Sequence, residues 1–351
     1  MANINTLKKI LGDAVQAPSG DNSQPWRFEI RENELYIYNI TESDSTLYNF
    51  RQRGSYFAHG ALIENIYILS LALGYRADIS YFPGIRECTA KIIFSESSSI
   101  PQPLISAIAN RATNRNPYEE KGLDSSHKKE IFDSILSHPI KLHLIEDKDD
   151  IDLLASSVSL NERLIMENQQ MHDFLFGVIR WSLKEEKKKP GLYIKTMGLP
   201  FPVEFLFRFL LRYWNIVKLL NIVGFSRSLP KQTNKLYKAS SALGAIIVRK
   251  NNDREFILAG RAFQRVWLTA TNLGLVIHPI TALPYLMQRI NENETESLTT
   301  KHINLIKGAY KNISAIFTLE SDENIAMLFR IGYGPKMLVR SSKLAPKVVI
   351  K

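Results

Sequence analysis

Three stretches of this sequence hold side chains whose types and spacing could do chemistry. In Asn110-Arg-Ala-Thr-Asn-Arg-Asn-Pro-Tyr118, Arg111, Thr113 and Arg115 alternate. Residues two apart on an extended chain project to the same side, so two guanidinium groups and a hydroxyl can converge on one phosphate. The same run also reads as an exposed basic loop. Ala17-Pro-Ser-Gly-Asp-Asn-Ser-Gln-Pro-Trp26 places Ser19, Asp21, Asn22 and Ser23 between two prolines, which crowds hydroxyl, amide and backbone donors into one turn. A turn that simply buries Trp26 uses those residues equally well. Third, Phe329-Arg-Ile-Gly-Tyr-Gly-Pro335 leads to Arg340 and Lys343, a strand followed by a basic tail able to reach an anion.

No nucleophile elbow, Walker loop or Gly-x-Gly-x-x-Gly pattern is present. His138 and His143 stand five apart with no Cys or carboxylate cluster at ligand spacing, so they read as strand-flanking histidines and no metal site is expected. Asp147 reads as the start of a helix. The single cysteine, Cys88, cannot form an internal disulfide, and Met1 to Leu11 lacks an apolar export segment, so the context reads as cytoplasmic.

The 351 residues, 45% hydrophobic, supply enough apolar mass for two modest cores or one large one. The net charge of +10 is uneven. Residues 180–235 carry 12 Lys/Arg against 3 Asp/Glu, and residues 336–351 carry 5 against none. Charge confined to one segment and one tail does not describe a nucleic-acid-binding module.

The elements that must position these groups follow from periodicity. The pattern predicts a helix over 3–16, strands over 26–30 and 35–39, a long helix over 56–73 stopped by Gly74, and strands over 77–82 and 89–94. Gly60 to Gly74 aligns without a gap on Gly260 to Gly274, each run ending in Leu-Gly and followed by a short apolar strand. This predicts two related halves packed about a pseudo-twofold axis, although amphipathic helices ending in Leu-Gly also recur by coincidence. Within residues 180–235, the apolar stretch 203–225 bears Arg208, Arg212 and Lys218. Three cations argue against a membrane span and leave three readings: a core helix, a lid over a pocket, or a helix on a membrane surface.

The three clusters together resemble the nitroreductase family of flavin enzymes. The loop 17–26 is similar to that family's Pro-Ser-x-x-Asn-Ser-Gln-Pro-Trp signature, and 111–115 to its Arg-x-Ser-x-Arg phosphate motif. Leu273-Gly-Leu-Val-Ile-His-Pro-Ile-Thr-Ala282 resembles the stretch beside the flavin ring, and 331–343 the closing strand and tail. Ordinary members are shorter and dimeric, so the motif order resembles a fused pseudo-dimer with one competent site, as in the long branch that contains the Acg proteins. The resemblance implies an α+β nitroreductase fold of mostly antiparallel sheets flanked by helices, with halves at 1–100 and 101–351 and a basic insertion, a lid candidate, at 180–235.

It further implies FMN as cofactor and NAD(P)H as transient electron donor. Arg111, Thr113, Arg115, Arg340 and Lys343 would lie at the phosphate and ribityl end. Pro18, Ser19, Gly20 and Asn22 would meet the ring from the other half. Pro279, Ile280, Thr281 and Ala282 would run along it, with a backbone amide near Thr281 directed at the flavin N5 atom. The family's Glu-Gly after Pro-Ile is replaced here by Thr281-Ala282. No side chain is implied as acid or base. The implied activity is electron transfer to a small electrophile such as a nitroaromatic or quinone, by a monomeric pseudo-dimer open to further association. A flavin-sequestering protein is the alternative, and a dehydrogenase of peptide azolines ranks below both. No nucleic-acid partner is expected, and membrane contact, if made, would use 203–225.

Overall fold

The computed structural model describes residues 2–351. Helix α1 (Ile4–Ala14) starts at Asn3, whose side chain accepts a hydrogen bond from Thr6 N, and buries Leu7, Ile10, Leu11 and Ala14 along one face. Strands β1 (Trp26–Arg31) and β2 (Glu34–Asn39) form a hairpin closed by Glu32 and Asn33. Helix α2 (Arg53–Ala72) follows, ended by Gly74 at φ +79°, and then β3 (Tyr75–Tyr81) and β4 (Cys88–Glu96).

The rest of the chain begins with α3 (Ile105–Asn110), α4 (Ser125–Asp133) and β5 (Lys141–Ile145). A helical excursion comes next: α5 (Lys148–Val158), α6 (Leu160–Glu167), α7 (Gln169–Val178), β6 (Ile179–Arg180), α8 (Leu183–Lys188), β7 (Leu192–Tyr193), α9 (Phe201–Leu206), α10 (Trp214–Ile222) and α11 (Phe225–Lys238). Strand β8 (Ala242–Val248), α12 (Asp253–Asn272), β9 (Val276–Ile280), α13 (Ala282–Asn291), α14 (Thr300–Ile316), β10 (Asn324–Gly332) and β11 (Val348–Ile350) complete the fold. Asp147 caps α5, accepting from the backbone N–H groups of Asp149 and Asp150, as its position in the sequence predicts.

The duplication is visible in the topology. One sheet has the order β1-β2-β4-β3 and the other β5-β8-β10-β9, every neighbouring pair antiparallel, with α2 and α12 at the same place in each half. The two long helices pack on each other across Gly60 and Gly260. A Cβ on Gly60 would lie 2.0 Å from the Ile257 carbonyl oxygen, and one on Gly260 would lie 1.9 Å from that of Phe57. At an offset of 200 these two contacts are the same contact exchanged, which is the reciprocity a twofold axis imposes. Only glycine permits the approach. Around the crossing, Glu64 pairs with Arg265 while the twofold mate, Gln264, donates to Asn65 at 2.8 Å.

The halves differ in their connections. A tight turn links β1 to β2, whereas residues 146–241 link β5 to β8; a short loop links β3 to β4, whereas α13 and α14 link β9 to β10. The insertion is therefore longer than 180–235. Its apolar stretch is not one helix either, because a π-helical turn (Phe207–Leu211) divides α9 from α10. After β10 the chain crosses back to the first half and adds β11 parallel to β1, pairing Phe28 with Val348 and Ile30 with Ile350.

Candidate functional site

The loop 17–26 is a strained turn held from several sides. Asp21, Asn22 and Gln24 all have positive φ (44°, 59° and 50°), a conformation unfavourable for side-chain-bearing residues unless the surroundings enforce it. Ser19 Oγ accepts from Gln24 N at 3.0 Å, and Gln24 Oε1 accepts from Leu344 N at 2.9 Å. Buried His59 contacts the Pro25 carbonyl at 2.8 Å and Thr89 Oγ1 at 2.7 Å, and burial lowers its pKa to about 4, so it is neutral. Trp26 is buried as well. The loop is thus both a turn over a buried tryptophan and a rigid array of polar groups.

The alternating motif is extended, as its spacing predicts. Thr113 forms a parallel bridge to Ile277, and Asn114 N donates to the Ile277 carbonyl at 2.9 Å, fixing the motif beside β9. Arg330, buried in β10, clamps it by donating to the carbonyls of Asn114 and Asn116. Arg111 and Arg115 line the same cleft. Arg111 lies 4.4 Å from the Trp267 ring centroid and donates to the Gln16 carbonyl at 2.9 Å, but its buried Nε has no partner. Arg115 donates to the Thr196 carbonyl at 3.0 Å.

The crossing tail closes the cleft. Lys343 Nζ donates to the Ala17 carbonyl and to Asn22 Oδ1, each at 2.8 Å. Ser342 donates its backbone N–H and its hydroxyl to the buried Glu186 carboxylate, and Arg340 donates to the Ala109 carbonyl. Burial, reinforced by the Arg111 charge and opposed by Glu186, lowers Lys343 to about 7. Burial and then Arg340 lower Arg111 to about 10. Both directions say that these cations are crowded and short of negative charge, a shortage that an anionic ligand would relieve.

Two cavities meet here. The polar one, about 100 Å³, is lined by Gln16, Asn22, Arg111, Thr196, Arg340 and Lys343 among others. The apolar one, about 250 Å³, lies between Phe57, Phe263, Trp267, Tyr285 and Met327. They share Pro18, Ser19, Asp21, Thr113 and Arg115, so they adjoin as the two parts of one channel. Gly20, Pro279, Thr281 and Ala282 line the apolar part. There α13 begins at Thr281 with no side-chain cap, leaving first-turn N–H groups without a capping side chain. Ile280 lines neither part; its side chain is buried among Leu283, Leu286 and Leu328 under the sheet.

Several lining residues have no signal in the sequence. Asn161, Ile165, Phe174 and Leu175 of α6 and α7 roof the apolar cavity, the place expected of residues 180–235. From that segment Leu192 and Thr196 reach the polar part, while 203–225 lines neither. Asp44 and Tyr285 each present a buried, unpartnered oxygen to the apolar part. Burial, then the neighbouring Asp21 charge, raises Asp44 to about 7. Asp21 itself is raised by burial, with Arg115 drawing it back. An amphipathic helix carries the same pattern whether it roofs a pocket or a core, and an isolated aspartate carries none. His138 also has a role its sequence does not show: it sits 3.7 Å from buried Glu64, across the helix crossing.

No family model matches this chain. An uncharacterized protein of Mycobacterium tuberculosis (strain CDC 1551 / Oshkosh) is 23% identical over 276 residues, covering 77% of this chain and 38% of that protein. The "Putative NAD(P)H nitroreductase acg" of Mycobacterium tuberculosis (strain ATCC 25618 / H37Rv) is 25% identical over 183 residues, covering 50% of this chain and 54% of that one. The matches thus span about half or less of these relatives' own lengths. Among solved structures, the FMN-dependent nitroreductase NfnB of Mycobacterium smegmatis in complex with NADPH aligns at a TM-score of 0.41 and 11% identity, over 69% of this chain and 94% of that one. A nitroreductase with bound FMN from Bacteroides fragilis aligns at 0.36 and 10%, over 69% and 93%.

Proposed function

We propose that this chain, a relative of the nitroreductases, is an FMN-binding oxidoreductase that passes electrons from NAD(P)H to a small electrophile of the nitroaromatic or quinone type. The observation that carries the reading is the channel of two adjoining cavities, cationic at one end and more apolar at the other, with an unpartnered Arg111 Nε buried at the cationic end. A flavin mononucleotide has the matching form, a phosphate at one end and a flat apolar ring at the other. When bound, it supplies reversible hydride acceptance.

The chain's own residues then have distinct tasks. Arg111, Arg115 and Lys343 hold the phosphate, and Thr113 and Ser19 serve the junction. Phe57, Phe263 and the roof of α6 and α7 exclude water. The amide end of α13 near Thr281 offers donors and the positive pole of a helix where negative charge accumulates. Residues 1–100 and 101–351 act as the two halves of a fused dimer, so a single copy carries both walls of the site.

The roof favours a second reading in part, because a covered cofactor is protected from an external reductant. Anaerobic mixing of flavin-loaded protein with NADH or NADPH separates the two. Bleaching of the flavin absorbance within seconds is the expected result. No bleaching, with dithionite still reducing the flavin, supports sequestration instead, and a protein that takes up no flavin overturns both.

A further inference from the structure

Among the described residues, 21 large apolar side chains are exposed, and nine of them fall between Phe201 and Val223. Phe201, Ile222 and Val223 are each about four-fifths exposed, with Phe205, Phe209 and Leu219 at half or more. This is a contiguous stretch of chain whose underside, through Leu211 and Val217, packs in a small satellite cluster with Met166. Apolar exposure concentrated in this way marks an interaction surface.

The surrounding charge identifies its partner. Arg208, Arg212, Lys218, Arg227, Lys231 and Lys235 flank the apolar residues. Within residues 180–235 only Arg208 of these six has an acidic partner, because Glu204 pairs with Lys195 and Arg208, Glu186 is buried against Ser342 and Glu185 accepts from Trp181 N. A second copy docking through the same face would bring two strongly positive segments together, because a twofold contact apposes each patch to itself. A bilayer crossing is also excluded for this segment, since no helix of the described residues is long and apolar enough.

We propose that α9, the π-helical turn and α10 form a docking surface for an anionic lipid bilayer. The aromatic and aliphatic side chains enter the headgroup and acyl boundary, and the flanking Lys and Arg side chains meet lipid phosphates. The inference is independent of the flavin reading, since none of these residues lines the channel. It does have a consequence for it. The same segment continues back to Thr196, whose carbonyl holds Arg115, so the docked face and the cation cleft share one short stretch of backbone.

Co-sedimentation of the full chain with vesicles tests this. Binding to phosphatidylglycerol vesicles at least about tenfold tighter than to phosphatidylcholine vesicles is expected, weakening as salt rises from 0.05 to about 0.5 M. The triple variant Phe201→Ser, Phe205→Ser, Ile222→Ser, all exposed positions, should lose about tenfold in that affinity with an unchanged circular dichroism spectrum. Absence of binding to either vesicle, or equal binding to both, overturns the proposal. So does a lipid-free dimer that the triple variant abolishes, which would assign the face to a second copy.

Discussion

The two sides of the α2–α12 crossing share one architecture and are lined by different residues. On one side, the loop after β9 borders a channel with Arg111, Arg115 and Lys343 at its end. On the other, the matching position after β3 is Phe82, whose ring meets Tyr56 edge-on at 5.4 Å. The cavity there, lined by Tyr56, Phe82, Gly84, Glu87 and Asp253 among others, contains acidic groups and no Lys or Arg. Ala282 lines the channel with a methyl group, whereas Phe82, its equivalent at an offset of 200, lines the other cavity with a phenyl ring. The same division runs through the crossing itself, where an ion pair at Glu64 and Arg265 faces an uncharged amide pair at Gln264 and Asn65. One side therefore holds the channel with cations at its end, and the other a cavity lined by acidic groups.

The largest effect is expected at the cations of the channel. Replacing Arg111 and Arg115 together by Ala should weaken FMN binding by about 3–6 kcal/mol, since charge-assisted bonds contribute about 1.5–3 kcal/mol each. Fluorescence titration with FMN measures this, and unchanged affinity would place the phosphate elsewhere.

Next comes the asymmetry at the crossing. Burial opposes ionisation of Glu64, but His138, Arg261 and Arg265 outweigh it and hold the carboxyl down at about 2. Glu64→Ala removes the carboxylate that Arg261 and Arg265 pair with and should cost about 3–5 kcal/mol in denaturant unfolding. Gln264→Ala removes only a neutral bond and should cost about 1–3 kcal/mol. Equal costs would mean that charge plays no part in joining the halves.

A pH-dependent effect concerns Asp44, which lines the apolar part of the channel. Its pKa is raised to about 7 from an ordinary value near 4. The folded state therefore holds a proton that the unfolded state releases between these values. Stability from this group is complete below about pH 4 and falls as pH rises towards 7. Asp44→Asn should flatten that slope and raise the melting temperature of the ligand-free protein more at pH 8 than at pH 5. A melting temperature that gains equally at both would show that Asp44 is not titrating in this window.

Much of the site was legible because its motifs are local. An alternating Arg-x-Thr-x-Arg run needs only an extended backbone to aim both guanidiniums one way, and the backbone there is extended beside β9. The repeat was legible because a Gly60–Gly260 approach requires glycine at both positions whatever surrounds them. The roof was not legible, since Ile165, Phe174 and Leu175 look like any buried helix face. The break at Phe207–Leu211 was hidden for a related reason: a π-helical turn shifts the apolar face by one residue without leaving a Gly or Pro behind.

Sequence alone determined the chemical groups, the paired long helices and the segregation of positive charge, because side-chain type, helical period and net charge are properties of the chain itself. Tertiary structure decided which groups meet. Residues 17–24, 111–115, 279–282 and 340–343 become neighbours only because the tail crosses to pair with β1 and the two halves pack about Gly60 and Gly260. That crossing also divides the two basic segments. Two of the tail's five cations, Arg340 and Lys343, line the channel, while Lys351 pairs with Glu29 and the insertion's Arg212 and Lys218 stand beside an apolar face that the described residues leave uncovered.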